Sequence, residues 1–398
     1  MIAAALRSLP THTSTHSTPG RLRFMKPSFS VEDYRRAAER YLPRMVFDYI
    51  EGGADDESGL QRNRSAFGNL KFEPSRLTDV RHRDLSIELA GQRAELPLVV
   101  APMGLTGACR PDGDLMLARA AARAGIPFVL STASNVSLED LARRVTARLW
   151  FQLYVVHREH ARALTARALA AGYEALVLTT DVAVNGNRIR DLRNGFSVPM
   201  RLTPRMALDA LTHPAWLAGQ IRGGFPTLPN VQTAGAASLE VQAALLQRRM
   251  DAGFSWDDLA ALRDDWPRKL FVKGILSAGD AARCRALGID GVIVSNHGGR
   301  QLADLPAPID VLPDVAKVVG DTTTIMVDSG FRNGRDVVKA LASGAHAVML
   351  GRALLYGLAA KGETGVDEVL AMFRADIDRT LALIGCASTA SLGPAHLA

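Results

Sequence analysis

One run of this 398-residue chain carries the strongest chemical signal: Ser295-Asn296-His297-Gly298-Gly299-Arg300-Gln301. A lone histidine is ordinarily structural, but one followed by two glycines has backbone freedom and open space above its ring, which suits a general base that meets a ligand. Three residues on, Arg300 offers a planar fork that matches a carboxylate. A second cluster, Thr179-Thr180-Asp181 and then Arg188, adds an acid and another arginine. An aspartate at a strand end can orient a catalytic imidazole and favour its charged form, or simply cap the next segment. Asp328-Ser329-Gly330-Phe331-Arg332 and Gly351-Arg352 form a third cluster. Small residues there would admit a phosphate to backbone N–H groups, and the arginines would supply charge. Lys273 stands alone among apolar residues, where an unpaired charge is expensive, so it needs an anionic partner.

These groups act together only if the fold brings them to one place. From Pro97 onward, short apolar runs alternate with amphipathic stretches: Leu98 to Ala101, Pro127 to Ser131, Leu149 to Val155 and Ala175 to Thr180 come first. Leu270 to Gly274, Gly291 to Ser295, Thr324 to Asp328 and Ala347 to Gly351 follow. Intervening segments have helical spacing, as in Asp114 to Ala124 and in Ser137 to Val145, where Ser137 and Asp140 resemble an N-cap. Apolar strands alternating with helices imply a parallel sheet buried on both faces. Eight units predict an α/β fold of the (β/α)8 TIM-barrel type, with an open doubly wound sheet as the alternative. In such a barrel the site lies at the C-terminal ends of the strands, where each cluster above falls. Flavin then becomes the better partner for Lys273 than a Schiff base, because a cation near flavin N1 and O2 stabilises the reduced ring.

The interval from Thr180 to Leu270 is too long for one strand-to-helix connection, so an insertion follows the fourth strand. Within it, residues 199–237 carry Arg201, Arg205 and Arg222 against the single acid Asp209, interleaved with Met206, Leu208, Leu211, Trp216, Leu217 and Ile221. Two readings fit: a solvated loop or partner-packing helix, and a segment for the membrane interface. No stretch approaches the roughly 20 apolar residues of a membrane span. The net charge of +6 is spread along the chain, so nucleic acid is not the expected partner. Three scattered cysteines (Cys109, Cys284, Cys386) lack metal-site or disulfide spacing, which fits a reducing, cytoplasmic compartment and no metal. Neither a GxGxxG after a first strand nor a P-loop is present. Residues 1–25 lack acids and are rich in Ser and Thr; they read as a disordered leader or an upstream start before Met25, with a targeting segment as the other reading. Residues 26–398 are then a single domain.

Taken together, the motifs resemble the FMN-dependent 2-hydroxy-acid dehydrogenase and oxidase family. SNHGGRQL, Trp150-Phe151-Gln152-Leu153-Tyr154 and Leu42-Pro43-Arg44-Met45-Val46-Phe47-Asp48-Tyr49 carry the likeness, which spans about Phe29 to Gly385. The resemblance implies FMN as cofactor, an N-terminal helical segment before the barrel, and His297 as the base with Asp181 as its partner. Tyr154 would face the substrate hydroxyl, and Tyr49, Arg188 and Arg300 would hold the substrate carboxylate. Flavin contacts would come from Pro102, Met103, Gly104, Ser131, Gln152, Thr179, Lys273 and Ser295. Asp328 would meet the ribityl chain, and Gly330, Arg332, Gly351 and Arg352 the phosphate.

Within the family, Thr180-Asp181-Val182-Ala183-Val184-Asn185-Gly186 is most similar to the (S)-mandelate dehydrogenase branch. Gly104 and Ala133 stand where other members carry larger groups, which leaves room for a phenyl ring. That branch implies (S)-mandelate oxidised to benzoylformate, a membrane quinone as acceptor and a homotetramer. It also implies that residues 199–237 rest peripherally on the inner face of the cytoplasmic membrane. A lactate- or glycolate-type oxidase using O2 is the alternative, and an inactive membrane-associated flavin-binding protein the alternative from another class. Two departures from the pattern stand out: Ala303 in place of an aspartate after Arg300-Gln301-Leu302, and Asn333 in place of a second arginine after Arg332. The first puts the local loop in question and the second the phosphate site.

Overall fold

A computed structural model of the chain describes residues 28–195, 203–231, 250–320 and 323–398. Its centre is a closed barrel of eight parallel strands: β3 (Leu98–Val100), β4 (Phe128–Ser131), β5 (Leu149–Leu153), β6 (Ala175–Thr179), β7 (Lys269–Ile275), β8 (Gly291–Val294), β9 (Thr324–Val327) and β10 (Ala347–Leu350). These are the eight expected segments, and β10 pairs with β3 to close the ring, so the open sheet is excluded.

Alternate side chains of each strand enter two different cores. Val99, Val129, Trp150, Val177, Phe271, Ile293, Met326 and Met349 fill the barrel interior. Leu98, Phe128, Leu130, Leu176 and Leu178 point outward under the helices. Burial on both sides is why the strands read as unbroken apolar runs. A hairpin unforeseen in the sequence, β1 (Ile87–Leu89) and β2 (Gln92–Ala94), packs Leu89 and Ala94 into the interior cluster and plugs the N-terminal end. Three helices, Val31–Tyr41, Arg44–Glu51 and Ser58–Ser65, form the expected N-terminal segment. The cap foreseen at Ser137 is present: its hydroxyl accepts the Asp140 N–H at 3.1 Å.

The same period of two builds the site. One step beyond the inner apolar layer, the next inward positions are Ser131, Gln152, Thr179, Lys273, Ser295 and Asp328. All six are buried polar groups at the C-terminal mouth.

The insertion after β6 forms helices Pro204–Leu211 and Pro214–Gly223. One side docks: Trp216 donates through Nε1 to the Ala108 carbonyl at 2.8 Å, Gln220 donates to the Gly107 carbonyl at 2.9 Å, and the Arg44 N–H donates to Asp209 at 2.7 Å. The other side is apolar and open, with Leu208, Leu211 and Ile221 each more than 60% exposed. Residues 199–202 and 232–237 of the predicted segment, and the leader 1–25, lie outside the described residues. Among the described residues, no helix is long and apolar enough to cross a membrane, no group of His, Cys, Asp or Glu could hold a metal, and the three cysteines are free and buried.

Candidate active site

Above the polar layer lies a cavity of about 660 Å³, a volume suited to a cofactor with a small substrate. His297 reaches it from the turn after β8, where His297, Gly298 and Gly299 have φ of 57°, 66° and 72°. This left-handed run turns the chain sharply and lifts the imidazole over the mouth. His297 Nδ1 lies 2.9 Å from Asp181 Oδ1. A carboxylate can only accept, so Nδ1 carries the proton and Nε2 presents its lone pair, with the Tyr154 hydroxyl 3.4 Å away. Asp181 is thus the partner of the imidazole rather than a cap.

Asp181 comes this close because β7 gives way. The register between β7 and β8 shifts between Lys273 and Ile275, and a Cβ on Gly274 would stand 2.7 Å from the Asp181 Cβ. Burial alone would push the Asp181 carboxyl up; the imidazole of His297 and the ammonium of Lys273 outweigh it and hold the carboxyl below its ordinary range.

Lys273 finds its anion within the chain, which the sequence reading did not foresee. Its Nζ lies 3.0 Å from Asp328 Oδ2 and 2.7 Å from Ser295 Oγ. Burial would lower its pKa, but Asp328 and Asp181 raise it, so the cation persists. Gln152 Oε1 accepts from the Ser131 hydroxyl and the Thr132 N–H, both at 3.2 Å, while its Nε2 donates to Thr179 Oγ1 at 3.0 Å. Asp181, Gln152 and Ser295 stand behind the wall; the other expected residues line the cavity itself.

Arg188 and Arg300 approach from two loops tied together by Gln301. The side chain of Gln301 donates to the Asp181 carbonyl at 2.8 Å and accepts from Arg188 at 3.3 Å. Arg300 lies over the Tyr49 ring, 5.2 Å from its centroid, and donates to the Gly52 carbonyl at 2.7 Å. Pro102, Met103, Gly104 and Ala133 form the opposite wall, where a Cβ added to Gly104 would stand 3.1 Å from the Ala133 Cβ.

At the far end, Gly330, Arg332, Gly351 and Arg352 line one corner. Arg352 donates to the carbonyls of Ile50, Gly298 and Gly52 at 2.9, 2.8 and 3.0 Å. Burial, then repulsion from Arg300 and Arg332, pushes its pKa down to about 10. The guanidiniums of Arg332 and Arg352 and the N-terminus of helix Arg352–Lys361 suit the phosphate of FMN, as buried Lys273 beside the polar layer suits its ring. Asn333 takes no part there, because it caps helix Gly334–Ala342 by accepting the Asp336 N–H at 3.0 Å. Ala303 is equally accounted for: its carbonyl accepts from Arg62 at 2.6 Å and its N–H donates to Asp55 at 3.3 Å, which fixes the loop without the aspartate.

Of the cavity residues that escaped the sequence reading, four stand out. Leu105, Leu228 and Met250 belong to a small apolar cluster against Tyr49, Ala133 and Tyr154. Asp191 also lines the wall. Burial pushes its carboxyl up, Arg300 pulls it back, Asp48 and Glu57 oppose that pull, and it settles at about 6. Local spacing holds no signal for the apolar three, which converge from distant loops; Asp191, one helical turn past Arg188, could have been suspected.

Comparison with known proteins agrees with this geometry. The (S)-mandelate dehydrogenase of Pseudomonas putida is 57% identical over 369 residues, covering 93% of each chain. An L-lactate dehydrogenase of Pectobacterium atrosepticum is 41% identical, covering 90% of this chain and 94% of its own. A crystal structure described as the monotopic membrane protein (S)-mandelate dehydrogenase superposes with a TM-score of 0.90 at 56% identity, covering 94% of this chain and 100% of the other. Residues 38–398 match the family model for FMN-dependent dehydrogenases, and with a polar, cationic barrel mouth of the kind that cofactor requires, the chain belongs to that family.

Proposed function

We propose that this FMN-dependent dehydrogenase oxidises (S)-mandelate to benzoylformate. The observation that carries the reading is one cavity holding a histidine whose Nδ1–H is fixed 2.9 Å from Asp181, two loop arginines, and an apolar wall of Leu105, Leu228 and Met250. Arg188, Arg300 and Tyr49 hold the substrate carboxylate and set the orientation of C2. His297 Nε2 takes the proton that oxidation releases, and Asp181 stabilises the imidazolium that results. The Tyr154 hydroxyl faces the substrate hydroxyl. FMN would supply the two-electron acceptor when bound; Lys273, Ser131, Gln152, Thr179 and Ser295 would serve its ring, Asp328 its ribityl chain, and Gly330, Arg332, Gly351 and Arg352 its phosphate. Gly104 and Ala133 put nothing larger than a methyl group on the cavity wall, which supports an aromatic substrate over lactate.

The exposed apolar side of Pro204–Gly223 supports peripheral attachment to the inner face of the cytoplasmic membrane, where a quinone would collect the electrons. The proposed assembly is a homotetramer. Anaerobic mixing of the yellow protein with (S)- and (R)-mandelate, 4-hydroxymandelate, lactate and glycolate tests the substrate. Bleaching fastest with (S)-mandelate is expected; faster bleaching by lactate, with peroxide release in air, would move the protein to the oxidase reading.

A further inference from the structure

Four hydrogen bonds and one ion pair close a ring around the base of His297. The His297 N–H donates to Ser295 Oγ at 3.0 Å, and Lys273 Nζ donates to the same oxygen at 2.7 Å. Lys273 Nζ then pairs with Asp328 Oδ2 at 3.0 Å. The Ser329 hydroxyl donates to Asp328 Oδ1 at 2.7 Å and accepts the Gly298 N–H at 3.0 Å. The circuit therefore returns to the residue beside the one where it began.

Ser329 closes this ring at a backbone cost. Its φ is 80°, in the left-handed region that L side chains rarely adopt. A glycine would hold that φ without strain, so what the serine adds is its hydroxyl. That hydroxyl is well used: it satisfies a buried-side amide on the loop bearing the base and one oxygen of the carboxylate that neutralises Lys273. Ser329 also lines the cavity, within reach of whatever occupies it.

We propose that Ser329 is a positioning residue of the oxidation, holding the amide of Gly298 to Asp328 so that the His297 imidazole and the Lys273 ammonium keep a fixed separation across the barrel mouth. This inference rests on His297 acting as base and Lys273 facing the flavin ring. The hydroxyl touches neither the substrate hydrogen nor the base nitrogen. Its contribution is to remove freedom from a loop whose glycines would otherwise let the imidazole drift, and small misplacements of a reacting group cost rate rather than affinity.

S329A and S329G test it together. Both lose the two hydrogen bonds, and S329G also relieves the strained φ, so the parent turn stays accessible to its backbone. Amide hydrogen exchange across residues 295–300, measured with and without FMN, should be faster in both variants. Anaerobic stopped-flow with (S)-mandelate should show a limiting reduction rate about tenfold lower, the order expected when a hydrogen bond to a charged group is lost. The saturation constant for (S)-mandelate and the FMN content should be unchanged. Wild-type exchange and wild-type reduction rates in both variants would overturn the proposal. So would a loss that appears only as a higher saturation constant or missing FMN. If the parent enzyme itself is bleached by no 2-hydroxy acid, the functional reading fails, while unchanged exchange in the variants would still refute the ring.

Discussion

The barrel mouth and the inserted helices break the same rule in opposite directions. At the mouth, Lys273, Asp328, Ser295 and Gln152 are polar or charged yet buried, each satisfied by a neighbour from another strand. On Pro204–Gly223, Leu208, Leu211 and Ile221 are apolar yet open, although Trp216 and Gln220 of the same segment are buried. Neither pattern suits water. Buried charge is tolerated when it is paired and has a ligand to meet, and an exposed apolar patch marks a surface that another phase or partner covers. Under the proposed function one region serves FMN and an organic acid and the other a membrane, and the two inserted helices dock through the 107–108 backbone rather than through the polar layer.

Three experiments would break or sharpen that separation. The largest effect belongs to the mouth: H297A should lower flavin reduction by about 10²–10⁴-fold, the usual range for a general base, while the protein stays yellow. Normal anaerobic bleaching of that variant would remove His297 from the mechanism. The next belongs to the insertion. Replacing Leu208 and Ile221 by Glu should weaken sedimentation with anionic lipid vesicles by at least about a hundredfold, from the loss of roughly 1.5–3 kcal/mol for each buried apolar side chain. Soluble-assay turnover should stay unchanged; a parallel fall in turnover would show that the two regions are not independent. The smallest lies at the edge of the mouth, at Asp191. Below pH 6 its carboxyl is neutral; above, it becomes an anion that repels the entering substrate carboxylate. Affinity for (S)-mandelate should therefore fall by up to about tenfold as pH rises through 6, one pKa unit being worth about 1.4 kcal/mol. D191N should flatten that part of the profile. An identical profile in D191N would assign the pH dependence elsewhere.

Much of the mouth could be read from the chain because strands are periodic. Once eight apolar runs are taken as barrel strands, Thr179, Lys273, Ser295 and Asp328 must stand at their C-terminal ends, and the loop residues Asp181, His297, Arg300 and Arg332 follow within a few positions. The insertion could be located by length alone, but which of its apolar residues dock and which stay open could not. Met206 and Trp216 are buried while Leu208 and Ile221 are exposed, a division set by the surface of the 106–109 turn rather than by hydropathy. The hairpin that plugs the barrel, β1–β2, is two three-residue strands with no strong pattern, so it went unseen.

What the sequence determined by itself is the alphabet of the site and its height in the barrel: a base, an acid, two carboxylate arginines, a cation and a phosphate corner, each placed by local spacing. Tertiary structure decided the pairings. That Asp328 neutralises Lys273, that Gly274 makes way for Asp181, that Ser329 closes the ring to Gly298, and that Leu105, Leu228 and Met250 meet around one wall all depend on residues brought together from distant parts of the chain. Side-chain periodicity is written in neighbouring residues and survives in one dimension, whereas contacts across a closed barrel depend on register, a bulge and loop packing, which exist only once the ring has closed.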